Sequence, residues 1–158
     1  MPKVKPSDPR REARMAALQS LFAADIRGDR GESSGEACLE WLSIENSLQA
    51  SSMELADALA RGVTTSRNEL DQHIQRHAPA WPVDQLPLVD RNILRIALYE
   101  LLHSPEVPHK TAINEAIELA KVFGSDSSAR FINGVLGSVM DGLETGEIAT
   151  RKAAPEGR

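Results

Sequence analysis

The sequence predicts an all-α fold of about seven helices joined by short loops. Apolar residues recur at helical spacing along most of the 158 residues. The aromatic share is only 4%, so Leu, Ala and Ile must form the core, which favours helices over a β-sandwich. The length suits one domain with a sizeable core. We therefore expect a single helical domain over residues 9–143, after a flexible basic lead-in (1–8) and before a polar, disordered tail (144–158).

The first two helices are marked by capping residues and breakers. Helix one should span about Pro9 to Ile26, with Asp8 as its N-cap and Pro9 at its first position. Gly28 ends it, and a polar loop follows at residues 29–35. A second helix is expected around Glu36 to Leu48. Its apolar residues at helical spacing are Trp41, Ile44 and Leu48.

The middle of the chain predicts one long helix over residues 51–77, or two helices that meet near residues 62–66. Three prolines then make residues 78–87 a connection with one short helical turn at 83–86. The next helix, residues 88–103, is apolar on most of its circumference, so it should be central and buried. Its polar seam, about 120° wide, comprises Arg91, Asn92, Arg95, Tyr99 and His103.

Two further helices complete the predicted domain. The sixth is lined on one side by apolar residues from Ile113 to Phe123, and Gly124 suits its C′ position. Ser125 or Asp126 can cap the last helix. That helix should bury Ile132, Val135, Leu136, Val139 and Leu143.

Composition excludes several classes of protein. No apolar run approaches the roughly 20 residues of a membrane span, and no secretory signal is present. The single cysteine, Cys38, cannot form an internal disulfide and is expected to be a small, partly buried hydrophobe. A cytoplasmic setting follows. The net charge of −5 divides into +3 over residues 1–14 and −8 over the rest, which indicates either a basic arm directed at phosphate or an ordinary solvated terminus.

Catalytic patterns are weak. No glycine-rich phosphate loop or nucleophile motif occurs. His73 and His77 lie four apart without a third ligand, which favours two solvated histidines over a metal site. Glu115 and Glu118, followed by Lys121, indicate a solvated helix face with an ion pair. We expect no catalytic residue, cofactor or metal, and therefore no enzyme.

Binding residues are better marked. Arg10, Arg11 and Arg14 would surround the start of a helix, and their planar forks suit single-stranded RNA. Phe131 lies at the edge of its helix's apolar stripe, where periodicity favours a core position over stacking on a base. Phe22 lies off its own stripe and could anchor a protein contact.

Three motifs carry a family resemblance. Leu-Arg-Ile-Ala-Leu-Tyr-Glu-Leu (94–101), Ile-Asn-Glu-Ala-Ile-Glu-Leu-Ala (113–120) and Phe-Ile-Asn-Gly-Val-Leu (131–136), with the arginine-rich start, resemble the NusB family of bacterial transcription antitermination factors. The resemblance is weak between residues 27 and 52. It implies two helical bundles packed across each other, no catalysis, and binding of boxA-type single-stranded RNA together with the ribosomal protein NusE. That complex would join RNA polymerase to suppress termination in ribosomal RNA operons.

The resemblance also assigns roles to residues. The RNA contacts it implies are Arg10, Arg11, Arg14, Ser125, Asp126, Ser127 and Phe131. Ser127 stands where an acidic residue can occur in the family. The implied NusE contacts are Phe22 and Asp90, and Asp90 is also a plausible N-cap by its own chemistry.

Two other functions remain open. The same helical domain occurs fused to ribosomal RNA cytosine methyltransferases, so an RNA-targeting module of that kind is the nearest alternative. A protein–protein scaffold that never binds RNA is the second. The sequence leaves open whether the free protein is a monomer or a homodimer.

Overall fold

A computed structural model describes residues 8–28, 33–45 and 48–149. Within these ranges the chain forms seven α-helices, one short 3-10 helix and no strand, which confirms the predicted all-α fold. The helices group into two compact units, with the boundary between Thr64 and Thr65. The single domain expected over residues 9–143 therefore contains two helical units. The predicted lead-in lies, apart from Asp8, outside the described residues.

The first unit begins with helix α1 (Pro9–Arg27), whose predicted N-terminus is confirmed. Asp8 Oδ1 accepts a hydrogen bond from the Arg10 N–H at 3.0 Å, and Pro9 occupies the first helical position. Gly28, at a φ of 72°, donates its N–H to the Asp25 carbonyl and ends the helix. Small side chains on the buried side of α1 allow α2 (Ser33–Glu45) to pack closely against it. They are Ala13, Ala16, Ala17, Ser20 and Ala24.

Helix α2 buries a different face from the one that the sequence predicted. Leu39 and Leu42 are buried, whereas Trp41 and Ile44 are 58% and 71% exposed. The prediction was wrong because α2 carries two apolar stripes, and periodicity cannot tell which of them is covered. Helix α3 (Ala50–Thr65) completes the first unit.

The second unit begins with α4 (Arg67–His77), so the two-helix alternative is confirmed for residues 51–77. The connection to α5 contains the predicted short turn, a 3-10 helix at Val83–Gln85. Gln75 holds this connection through both ends of its amide: Nε2 donates to the Trp81 carbonyl, and Oε1 accepts from the Val83 N–H, each at 3.0 Å.

Helix α5 (Leu88–His103) has the predicted bounds and lies at the centre of the second unit, with residues 90–98 all buried. Several groups of its polar seam are hydrogen-bonded within the unit, among them Asn92 Nδ2, which donates to the Leu88 carbonyl at 3.0 Å. Arg95, 3% exposed, forms a bidentate pair with Asp71 of α4, with Nε–Oδ1 at 2.8 Å and Nη2–Oδ2 at 2.9 Å. Its remaining nitrogen, Nη1, donates to Asn92 Oδ1 at 3.1 Å. A buried guanidinium is tolerated there because all three nitrogens have acceptors.

Helices α6 (His109–Phe123) and α7 (Ser128–Thr145) complete the unit. The predicted buried stripe of α7 is confirmed, except that Leu143 is half-buried. The described chain also continues past the predicted end of the domain. Gly146, at a φ of 82°, turns the chain back, and the Ile148 N–H donates to the Gly142 carbonyl at 3.0 Å.

Ile148 is 5% exposed and rests on Gly142, where a Cβ would lie 2.7 Å from Ile148 Cδ1. The disordered tail expected from residue 144 is therefore wrong for residues 144–149, because one apolar side chain docks there. Residues 150–158 lie outside the described residues.

Candidate nucleic-acid interface

The three arginines at the start of α1 differ in exposure. Arg10 and Arg11 are exposed, while Arg14 is 5% exposed. Arg14 lies one turn before Leu18 and two turns before Leu21, so it falls on the buried stripe. The surface position expected for Arg14 is therefore wrong. The two exposed guanidinium groups lie at the positive end of the helix dipole, an arrangement that attracts phosphate.

Phe22, near the other end of α1, is 36% exposed. Ile26 follows one turn later and is 62% exposed, so the two side chains form an apolar pair on the surface of the first unit. An exposed aromatic with an aliphatic neighbour is a suitable anchor for a protein partner.

The α6–α7 loop (residues 124–127) is organised by one hydroxyl group. Ser128 Oγ accepts a hydrogen bond from the Ser125 N–H at 2.9 Å and lies 3.1 Å from Ser125 Oγ. Ser128 is 1% exposed, whereas Ser125, Asp126 and Ser127 are exposed. The buried serine therefore fixes the loop from inside while the three predicted RNA-contacting residues of the loop stay exposed, Ser125 with its hydroxyl beside Ser128.

Asp90 is the anchor of that serine. Ser128 Oγ donates to Asp90 Oδ1 at 2.6 Å, a short bond to a carboxylate on a residue that is 6% exposed. The sequence predicted that Asp90 could be the N-cap of α5, and this is wrong. Pro87 occupies the N-cap position, and Asp90 lies in the first turn of the helix. The sequence assigned Asp90 and the loop to different partners, and the structure brings them together.

Gly124 makes this contact possible. A Cβ at Gly124 would lie 2.5 Å from both Cβ and Oγ of Ser128 and 2.7 Å from the Ala120 carbonyl. The predicted C′ role implied a left-handed turn at Gly124, but its φ is −92°. The glycine is needed because Ser128 approaches its backbone closely. Sequence reasoning missed the cluster of Gly124, Ser128 and Asp90. The only signal was a glycine four residues before a serine.

Phe131 is half-buried in the first turn of α7, directly after the loop. Its N–H donates to the Ser127 carbonyl at 3.1 Å, so the ring and the loop are held together. On the same helix a Cβ added at Gly134 or Gly137 would meet no atom of the described chain within 4 Å. The outward side of α7 is therefore open to a ligand beside a partly accessible ring.

The histidines predicted to be solvated, His73 and His77, are half-buried. His77 Nδ1 lies 2.7 Å from Ser138 Oγ. Burial, and then the nearby Arg76, lower the pKa of both rings, which favours neutral imidazoles at pH 7. Within the described ranges, no group of three or more His, Cys, Asp or Glu could hold a metal ion.

Other predicted features are ordinary. Glu118 and Lys121 form an exposed ion pair at 3.5 Å, as predicted. Cys38 is half-buried, and burial raises the pKa of its thiol, as expected of a small hydrophobe. None of the helices in the described part of the chain is both long and apolar enough to cross a membrane.

Comparison with known sequences places these features in a family. The sequence profile described as the NusB family matches residues 11–141. The chain belongs to the NusB family. Transcription antitermination protein NusB of Dehalococcoides mccartyi (strain CBDB1) is 46% identical over 134 residues, which cover 85% of this chain and 91% of the relative. NusB of Chloroflexus aggregans is 42% identical over 158 residues, covering 99% and 100%.

Solved NusB structures show the same fold. NusB of T. maritima matches with a TM-score of 0.76 and 32% identity, over 90% of this chain and all of that one. A crystal structure of antitermination factors NusB and NusE in complex with double-stranded RNA matches with a TM-score of 0.73 and 27% identity, over 84% and 96% of the two chains. The resemblance seen in the sequence motifs is therefore confirmed.

Proposed function

We propose that this NusB-family chain is a non-enzymatic, cytoplasmic RNA-binding factor that suppresses transcription termination in ribosomal RNA operons. It binds a boxA-type single-stranded RNA jointly with NusE, and this complex joins RNA polymerase. The observation that carries the proposal is the similarity, over 84% of the chain, to a NusB solved with NusE and RNA. Because that RNA is double-stranded, the preference for single strands requires its own test.

The RNA-binding roles follow from exposure and chemistry. Arg10 and Arg11 contact phosphates, since both are exposed at a helix N-terminus. The α6–α7 loop offers exposed hydroxyl and carboxylate groups to base edges, and Phe131 supplies a face for stacking. Arg14 can contact RNA only if its side chain leaves its buried position, so its contribution should be smaller.

NusE binding is assigned to Phe22, whose exposed ring is paired with Ile26. Asp90 is 6% exposed and already accepts from Ser128, so it affects partners through the loop and not by direct contact. Joint binding follows because an acidic body attracts a basic protein, and the two together offer more phosphate contacts than either alone.

A fluorescence anisotropy titration tests the proposal. Labelled boxA RNA, a scrambled strand and a boxA duplex are each titrated with the protein, with and without NusE, at two salt concentrations. We expect tightest binding of the boxA single strand with NusE present. Phe131→Ala should weaken that binding by about 1–3 kcal/mol, the usual contribution of one stacked base.

Each other outcome identifies an alternative. Equal affinity for boxA and scrambled strands would show that the basic residues at the start of α1 attract phosphate without reading the RNA sequence. That result would favour an RNA-targeting module. An absence of RNA binding with NusE still bound would favour a protein–protein scaffold.

A further inference from the structure

The exposed side of α2 has an apolar centre. Trp41 and Ile44 are 58% and 71% exposed. At about 100° per residue they lie about 60° apart around the helix axis, opposite the buried Leu39 and Leu42. A surface helix ordinarily turns its large apolar side chains toward the core. A second, exposed apolar stripe that includes a tryptophan therefore indicates a surface that binds another molecule.

Carboxylates border this centre. Glu40 and Glu45 are exposed and lie about 70° to either side of the midpoint between Trp41 and Ile44. Residues 31–60 contain six acidic residues and no Lys, Arg or His. The next cation, Arg61, pairs with Asp57 at 2.9 Å and Glu36 at 3.0 Å. An apolar centre with a charged rim is the usual anatomy of a protein interface.

We propose that this surface, the α2 face (Ala37, Glu40, Trp41, Ile44 and Glu45), docks a basic amphipathic helix of another protein. The two apolar side chains lie along one stripe, which fits the i, i+3, i+4 anchors of a helix. Lys or Arg beside those anchors would meet Glu40 and Glu45.

Charge disfavours two other occupants. The exposed carboxylates Glu40 and Glu45 repel phosphate, and no Lys, Arg or His lies between residues 31 and 60 to offset them. Arg61, just beyond, is already paired, so RNA is disfavoured at the α2 face. A second copy of the chain would bring the same carboxylates against each other. The site goes beyond the proposed RNA and NusE contacts, which lie on α1 and near the α6–α7 loop.

A synthetic helix with a leucine stripe bordered by lysines is the probe, labelled for anisotropy. Its matched control carries glutamate at every lysine. The protein has two tryptophans, Trp41 and Trp81, so Trp81→Phe leaves Trp41 as the only reporter. We expect the basic probe to bind and to shift the Trp41 emission to the blue, and the acidic probe to do neither.

Substitutions in the α2 face test whether the basic probe binds there. Trp41→Ala and Ile44→Ser should each lower the affinity for the basic probe by about tenfold or more, as expected of central anchors. Trp81→Ala is the control, since Trp81 is similarly exposed at 53% but belongs to the second unit. All three side chains are exposed, so the variants should keep the wild-type circular dichroism.

Four results would overturn the proposal. The acidic probe could bind with the same affinity as the basic probe. The Trp41→Ala variant could bind the basic probe as tightly as the Trp81→Ala variant does. Sedimentation could show a homodimer that Trp41→Ala dissociates, which would make the second copy the occupant. Trp41→Ala could abolish NusE binding, which would assign the face to NusE.

Discussion

Replacing Ser128 with alanine should release the α6–α7 loop from α5. Ser128 Oγ donates to Asp90 Oδ1 at 2.6 Å and accepts from the Ser125 N–H at 2.9 Å. Alanine removes both of these hydrogen bonds with little change in volume, together with the 3.1 Å contact to the hydroxyl of the exposed Ser125, which water can replace. It also leaves a carboxylate on a residue that is 6% exposed without this donor.

The expected loss follows from these two bonds. A hydrogen bond to a charged group stabilises by about 1.5–3 kcal/mol and a neutral one by about 0.5–1.5 kcal/mol. The free energy of unfolding should therefore fall by about 2–4.5 kcal/mol. At roughly 2–4 °C per kcal/mol for a chain of this size, the melting temperature should fall by about 4–18 °C. RNA affinity should fall as well, because the loop and Phe131 lose their fixed position.

Urea titration and thermal melting measure the change, with Ser127→Ala as the matched control. The Ser127 hydroxyl is exposed and lies 3.4 Å from Ser125 Oγ, so its loss should change stability by less than about 0.5 kcal/mol. A double-mutant cycle with Asp90→Asn should show strong coupling to Ser128 and none to Ser127. Equal stabilities of the Ser128 and Ser127 variants would refute the reasoning.

Four other variants test RNA binding or stability. Replacing Arg10 and Arg11 with alanine should reduce the slope of log affinity for single-stranded RNA against log salt by about 0.7 for each phosphate that the variant no longer neutralises. Anisotropy at several salt concentrations checks this, and an unchanged slope would exclude the phosphate role. Gly142→Ala and Gly134→Ala should differ in stability, because only the first brings a new methyl against another side chain, 2.7 Å from Ile148 Cδ1. Gly134→Ala, with no atom within 4 Å, should stabilise by about 0.5–1 kcal/mol, and Gly142→Ala should gain less than this or lose stability; an equal rise in melting temperature in both variants would contradict the packing. Burial, and then a neighbouring arginine, lower the pKa of His77 below its usual 6.5, so the folded state favours the neutral ring. The contribution of this neutral ring to stability is complete above about pH 6.5. It is lost as the pH falls below that value toward the folded-state pKa. Urea midpoints between about pH 8 and about pH 5 should therefore fall less in His77→Gln than in wild type, and an equal fall would show that another group titrates.

Local signals were enough for the ends and burial of several helices. Helix α5 begins and ends where prolines interrupt the chain, and its mainly apolar circumference predicted a central position with a narrow polar seam. The N-terminus of α1 was equally well marked, because Asp8 followed by Pro9 is a strong local signal. These features depend on residues within one or two turns.

Features that depend on distant residues were not predictable. Asp90 bonds to Ser128, 38 positions away, so its own neighbourhood suggested only an N-cap. The covered stripe of α2 was chosen wrongly, because both of its stripes are apolar and only packing decides between them. The burial of Arg14 has the same origin, since its face of α1 is covered after folding.

Hydrogen–deuterium exchange on the NusE complex, with and without boxA RNA, tests most directly the claim that RNA binds at the start of α1 and at the α6–α7 loop. We predict that RNA slows exchange at residues 9–14 and 125–131 and leaves α2 unchanged. Protection of α2 with no change in those two segments would contradict this assignment of the RNA-binding surface.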